Sequence, residues 1–343
     1  MYLKLLLDLG LSVTFIGADF KRAEPYASHL ESLGIKVLAG NWFQRIWKLW
    51  FLLFSHRFDF IFFNRPIPTK RFIGYVEKFS SAKILYQCHD LHYLRLQRQH
   101  EIEGGEKVLA ESRQLERLET EIIQKSDVFL TFSLYEKDII EKKLPGKRAE
   151  VVPLYFYEEL TSPVTDFSNR HGILYVGGFG HKPNEDAVLW FAQEVFPRIL
   201  KSCPDMVFYV VGSNPPAEIA ALEGRNIKVL GYVADDELDA LYRRVRMVVV
   251  PLRFGAGVKG KTMEAVHHSL PLVSTGVGIE GIGLEEIVPP TDSPEAFAER
   301  VVAFYGDEAA LRECSSRLHE YGRNNLSYTS TKAKMQGILE SLG

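Results

Sequence analysis

Short apolar runs alternating with helix-length amphipathic stretches constrain this chain more than any other feature. The runs are rich in Val, Ile, Phe and Tyr: Ser12–Gly17, Ile35–Ala39, Phe58–Phe63, Lys83–Cys88, Val128–Phe132 and Glu150–Pro153, then Gly172–Val176, Val207–Val211, Ile227–Leu230, Met247–Pro251 and Pro271–Ser274. Runs apolar on both faces suit parallel strands covered by helices on either side. Strand–helix alternation through both halves predicts two doubly wound, Rossmann-like α/β domains. The length of 343 residues exceeds one ordinary core and fits two. The turn-rich stretch Thr161-Ser162-Pro163-Val164-Thr165-Asp166 breaks the alternation, which sets domains at 1–165 and 166–343. Tyr2–Leu9 reads as a helix closed by Gly10, with no strand ahead of it. The N-terminal domain is therefore expected to lack its first strand, usually a central one.

Composition excludes some classes of function. A formal charge of −3 argues against a dedicated nucleic-acid binder. Cys88, Cys203 and Cys314 are odd in number and widely spaced, which reads as three thiols in a reducing compartment. No secretory leader is visible, so the expected location is the cytoplasm. The charged stretch from Leu94 to Gln124 favours helix, and Glu111, Arg113, Glu116, Arg117, Glu119 and Glu121 are expected to form a solvated face. Asn41–Phe54 carries three of the four tryptophans. It reads first as a largely buried aromatic helix. The second reading is an interfacial helix touching the inner face of a membrane or a lipid-linked acceptor.

The stretch Pro251-Leu252-Arg253-Phe254-Gly255-Ala256-Gly257-Val258-Lys259-Gly260-Lys261-Thr262-Met263-Glu264-Ala265 follows an apolar strand and opens a helix. In open α/β sheets, ligands bind beyond the carboxyl ends of strands. Glycines let backbone approach a ligand closely. A helix N-terminus presents amide N–H groups and a positive dipole end, which suit a diphosphate. Arg253, Lys259 and Lys261 add positive charge. Glu264, three residues after Lys261, shares its side of the helix. A carboxylate beside phosphate makes sense where it accepts hydrogen bonds from sugar hydroxyls. His267 and His268 are expected on the helix surface, without a metal partner set.

With these residues in view, the second half resembles the group 1 glycosyltransferases of the GT-B fold (glycosyltransferase family 4-like). The likeness runs through Ile173-Leu174-Tyr175-Val176-Gly177-Gly178-Phe179, His181-Lys182-Pro183-Asn184, Phe208-Tyr209-Val210-Val211-Gly212 and Val229-Leu230-Gly231-Tyr232-Val233. It continues through Gly255–Ala265 and Leu270-Pro271-Leu272-Val273-Ser274-Thr275. The resemblance implies two domains facing a cleft and a last helix packing back on the first domain. It implies that Glu264 holds the donor ribose and that Lys261 with the Gly255–Gly257 amides binds diphosphate. Gly178, Asn184 and Gly212 complete the implied donor side, with the Gly212 and Tyr232 loops near the base. Gly178 stands where many members carry Arg, and Ala256 where many carry a Glu that faces the sugar.

In the first half, Tyr86-Gln87-Cys88-His89-Asp90-Leu91-His92-Tyr93-Leu94-Arg95 looks like the family's His-Asp segment. The likeness implies a catalytic role for His89 and Asp90, with His92, Arg95 and Ser133 on the acceptor side. An imidazole there could donate to a sugar hydroxyl or help proton movement. The expected function is sugar transfer from a nucleoside-diphosphate sugar to a glycan, lipid-linked or protein acceptor, with retention, in bacterial polysaccharide or glycoconjugate synthesis. No cofactor is expected, and no metal, for want of an Asp-x-Asp motif in a suitable loop. The alternative is an inactive GT-B accessory protein that binds a partner glycosyltransferase.

Overall fold

A computed structural model of the chain describes residues 1–343, apart from the side chains of residues 102 and 103. All eleven apolar runs form strands: β1 (Thr14–Ile16), β2 (Lys36–Leu38), β3 (Phe60–Asn64), β4 (Lys83–Gln87), β5 (Val128–Thr131), β6 (Ala149–Val151), β7 (Ile173–Val176), β8 (Phe208–Val211), β9 (Ile227–Gly231), β10 (Met247–Val250) and β11 (Leu272–Ser274). The chain divides into two units. One is Met1–Val152 with Thr331–Gly343, and the other is Pro153–Ser330.

The second unit is built on a five-stranded parallel sheet in the order β11-β10-β7-β8-β9. Every residue of β8, β10 and β11 is buried, as strands covered on both faces should be. The order reverses between β7 and β10, because the chain runs outward from β7 to β9 and returns to β10 on the other side of β7. At such a switch point the two connections leave in opposite directions and open a crevice at the strand ends.

Backbone packing there is close. Gly177 N–H donates to Val211 O, and Gly212 N–H donates to Gly231 O, both at 2.9 Å. A Cβ on Gly212 would fall on the Gly177 carbonyl. Glycine is required at that position by contact, not by φ.

The first unit holds a four-stranded parallel sheet, β3-β4-β5-β6, and a separate parallel pair, β1-β2. Among the described residues no strand joins β1 to β3, so each pairs on one side only. The Asn41–Phe54 helix buries Phe43 and Phe51 and is amphipathic, not largely buried. Trp47 meets Phe72 and Tyr75 at 5.1 and 5.3 Å between ring centroids. Trp42 (72% exposed), Leu49, Leu52 and Leu53 face outward. No helix among the described residues is long and apolar enough to cross a membrane.

The domain boundary and the place of Glu119 need correction, while the charged stretch is helical as expected. The division falls at Val152/Pro153, not at 165/166, because long-range bonds hold the intervening segment to the second unit. Tyr157 N–H donates to Leu326 O, Thr161 N–H to His267 O, and Val164 N–H to the Ser315 hydroxyl. The charged stretch is two helices, His92–Glu103 and Glu106–Lys125, parted by Gly104 and Gly105 at φ +73° and +97°. Glu119 is not on a solvated face; it is fully buried.

Gly212→Ala is expected to destabilise the second unit by about 1–3 kcal/mol, the range for overpacking. A urea midpoint equal to wild type would show that the two strand ends can part.

Candidate functional site

The crevice at the β7/β10 switch point is lined by the Gly255–Lys261 turn and by the start of the Lys182–Trp190 helix. His181, Pro183, Asn184, Phe254, Ala256 and Lys259 are among its walls, with Lys261 at its base. The turn needs its glycines. Gly255 sits at φ +139° and Gly257 at +71°, where a side chain would be strained. The Gly260–His267 helix then begins, with Thr262 and Met263 N–H bonded back to Lys259 O.

Lys261 is the electrostatic centre of the crevice. Its Nζ donates to Asn184 Oδ1 at 2.8 Å and lies 5.2 Å from the Tyr175 ring centroid. Tyr175 hydroxyl donates to the same Oδ1 at 3.0 Å, and Asn184 Nδ2 donates to Gly178 O at 2.7 Å. Asn184 is thus fixed between two donors and a carbonyl, and offers Lys261 a neutral acceptor. Burial, then the neighbouring Lys259 charge, pushes the Lys261 ammonium down to about 8. Lys259 donates to Gly257 O. A buried cation with a second cation beside it and a neutral partner favours an anion.

Glu264 lies one turn further on. It accepts from Tyr242 hydroxyl at 3.1 Å, and burial raises its carboxyl above the usual range. His267 and His268 are half-buried rather than exposed on the helix surface. His267 stacks on Tyr157 at 3.9 Å between centroids, and His268 on Tyr242 at 4.1 Å. Burial holds both below the usual imidazole range, His268 at about 4. They are packing groups behind Glu264. Arg253 is directed to Asp186 in a bidentate pair on the exposed side. Its charge is offset locally, and it is not among the crevice walls. Tyr175, Tyr242 and Asp186 carry no local sequence signal, since each acts on a residue at least nine positions away.

The His89–Arg95 segment links β4 to the next helix in the first unit. His89 is half-buried, edge-on to Phe132 at 5.4 Å, and burial with the nearby Arg65 charge lowers its imidazole. Asp90 pairs with Arg95 at 3.2 Å. His92 Nδ1 is held by buried Glu119 at 3.1 Å. Ser133 is buried and caps the Leu134–Lys143 helix by accepting from Glu136 N–H. Of the four partners expected around His89, then, His92 and Ser133 are spent on structure. Among the described residues, Cys88, His92 and Glu119 form the group able to hold a metal.

Known proteins place this geometry. Residues 170–307 match the family model described as Glycosyl transferases group 1. That segment is similar to the group 1 glycosyltransferases. A curated relative, an uncharacterized 44.6 kDa protein in the cps region of Klebsiella pneumoniae, is 27% identical over 170 residues, 47% of this chain and 43% of that protein. The chain thus matches less than half the length of this relative. The structure of TarM from S. aureus aligns over 85% of this chain and 57% of its own, with TM-score 0.66 and 12% identity. Anabaena Alr3699/HepE, solved with UDP and glucose, aligns over 93% of this chain and 90% of its own, with TM-score 0.61 and 16% identity. These structural likenesses establish the GT-B fold.

Within the second unit, Lys261→Met should raise the melting temperature at pH 7. It keeps the volume and removes a buried charge. The folded lysine loses its proton near 8 and the unfolded one near 10.5, so the unfolded state binds more protons between these values. The advantage of the variant should shrink as pH rises through that window. A variant that melts lower at every pH would show that the ammonium is fully compensated in the free protein.

Proposed function

We propose that the chain transfers a glycosyl group from a nucleoside-diphosphate sugar to an acceptor hydroxyl. The observation that carries this reading is the buried Lys261 at the β7/β10 crevice, flanked by a glycine turn and a helix N-terminus. The diphosphate would lie along the Gly255–Gly257 turn with Lys261 and Lys259 beside it. As the sugar bond breaks, negative charge grows on the departing diphosphate, and preorganised cations and amides stabilise it. Glu264, oriented by Tyr242, would accept from the ribose hydroxyls. UDP is the first nucleotide to test, because a protein of the same fold is solved with UDP and glucose.

On this reading His89 is the group of the first unit that acts on the sugar, as donor or proton carrier. Asp90 supports it through the Arg95 pair. Transfer proceeds with retention at the anomeric carbon. A glycan acceptor fits the relative from a cps region. The exposed Trp42, Leu49, Leu52 and Leu53 with Arg45 and Lys48 suit contact with an anionic membrane surface. Failure to pellet with anionic vesicles would remove that contact.

Calorimetry with UDP tests the donor site. Lys261→Ala should weaken binding by about 1.5–3 kcal/mol, the loss of a charged hydrogen bond. Wild-type affinity should fall as pH rises above 8, as the free ammonium titrates near 8. Equal affinity in a folded Lys261→Ala protein would take Lys261 out of the site.

Turnover is tested separately, by release of UDP from UDP-sugars with a glycan acceptor. His89→Ala should lower kcat by about 10²-fold or more. Tight UDP binding with no transfer to any acceptor would favour an accessory role instead.

A further inference from the structure

The first unit contains a second chemical centre that glycosyl transfer does not use. Cys88 directly follows β4, His92 opens the following helix, and Glu119 comes from the Glu106–Lys125 helix. Sγ and Nδ1 stand 3.6 Å apart, Sγ and Glu119 Oε1 3.5 Å, and Nδ1 and Oε1 3.1 Å. Around tetrahedral zinc, bonds of about 2.3 Å to sulfur and 2.0–2.1 Å to nitrogen or oxygen put ligand atoms about 3.3–3.6 Å apart. The two separations from sulfur fall in that window, and the Nδ1–Oε1 separation of 3.1 Å is slightly shorter than it. We propose that Cys88, His92 and Glu119 form a binding site for a zinc-like divalent cation.

Two further observations point to a ligand there. The Tyr86 hydroxyl is buried against Cys88, with the sulfur as its neighbour and no oxygen or nitrogen partner within hydrogen-bond distance. The thiol is itself a donor, to Asp90 O at 2.6 Å. A metal-bound thiolate would accept from the tyrosine and satisfy it. The carboxylate is also held as metal-bound carboxylates are, from outside. Its two oxygens accept the backbone N–H groups of His92 and Tyr93, both at 3.1 Å.

The charges balance. Entry of the dication displaces the thiol proton to solvent, together with any proton on Nδ1. Thiolate and Glu119 carboxylate then offset its two charges, and no electron moves. The cation would join β4 to two helices and fix residues 89–91, which lie between two of its ligands. This holds whether or not the chain transfers sugar.

The test is metal binding by the full chain after dialysis against chelator. Zn(II) added alone should bind at about one equivalent and raise the melting temperature. Co(II) added alone should give a thiolate-to-metal charge-transfer band. The band should survive Cys203→Ser, a thiol outside the centre. It should vanish in Cys88→Ser, with zinc affinity lower by about 100-fold. His92→Gln should also lose it, which covers the case of a poorly folded Cys88 variant. No cobalt–thiolate band in the wild-type protein, or a band that persists without Cys88, would overturn the site.

Discussion

A lysine ammonium sunk at the carboxyl ends of two parallel strands is what the rest of the second unit is organised around. Burial disfavours its charge, and the groups it meets first are an aromatic face and an amide oxygen, neither of them anionic. Asn184 is itself held by Tyr175 and by the Gly178 carbonyl. That chain of contacts requires a close strand-to-strand approach at Gly177 and Gly212. It also requires a turn at Gly255–Gly257 that no residue with a side chain would adopt without strain. Among the described residues no carboxylate forms an ion pair with the cation, although the Glu264 charge is felt from one turn away. An anion of high charge density would pair with it.

The same logic separates the charges near it. Arg253 is nearer the strand end in sequence, yet its guanidinium is matched by Asp186. A matched pair has little further attraction for phosphate. Glu264 stands one helical turn beyond Lys261 and is held by Tyr242, and burial keeps the stacked His267 and His268 neutral beside it.

Sequence made the strands and the glycine turn legible because their causes are local. Alternation of apolar runs with amphipathic stretches marks all eleven strands, and positive-φ glycines mark the turn. The Glu308–Asn325 helix is equally legible. Leu311, Cys314, Ser315, Leu318 and Gly322 recur at helical spacing on its buried face. What could not be read are partners brought together by folding. Glu119 lies among charged neighbours that do face solvent, and only the start of another helix explains its burial. Segment 153–165 reads as a linker because its hydrogen bonds go to residues more than a hundred positions away. For the His-Asp segment, the residue types were plain but their uses were not, since His92 and Ser133 turn inward.

The first unit is discontinuous: its residues 1–152 are completed by 331–343, with Arg148 reaching Ser341. During synthesis the closing helix leaves the ribosome only after the whole intervening unit. The amino-terminal unit must therefore wait, incompletely packed and with β1 and β3 each open along one edge, while its successor is translated. Such a chain should acquire its two cores in the reverse of their order in the message, and the waiting edges are where a nascent chain is most open to chaperones.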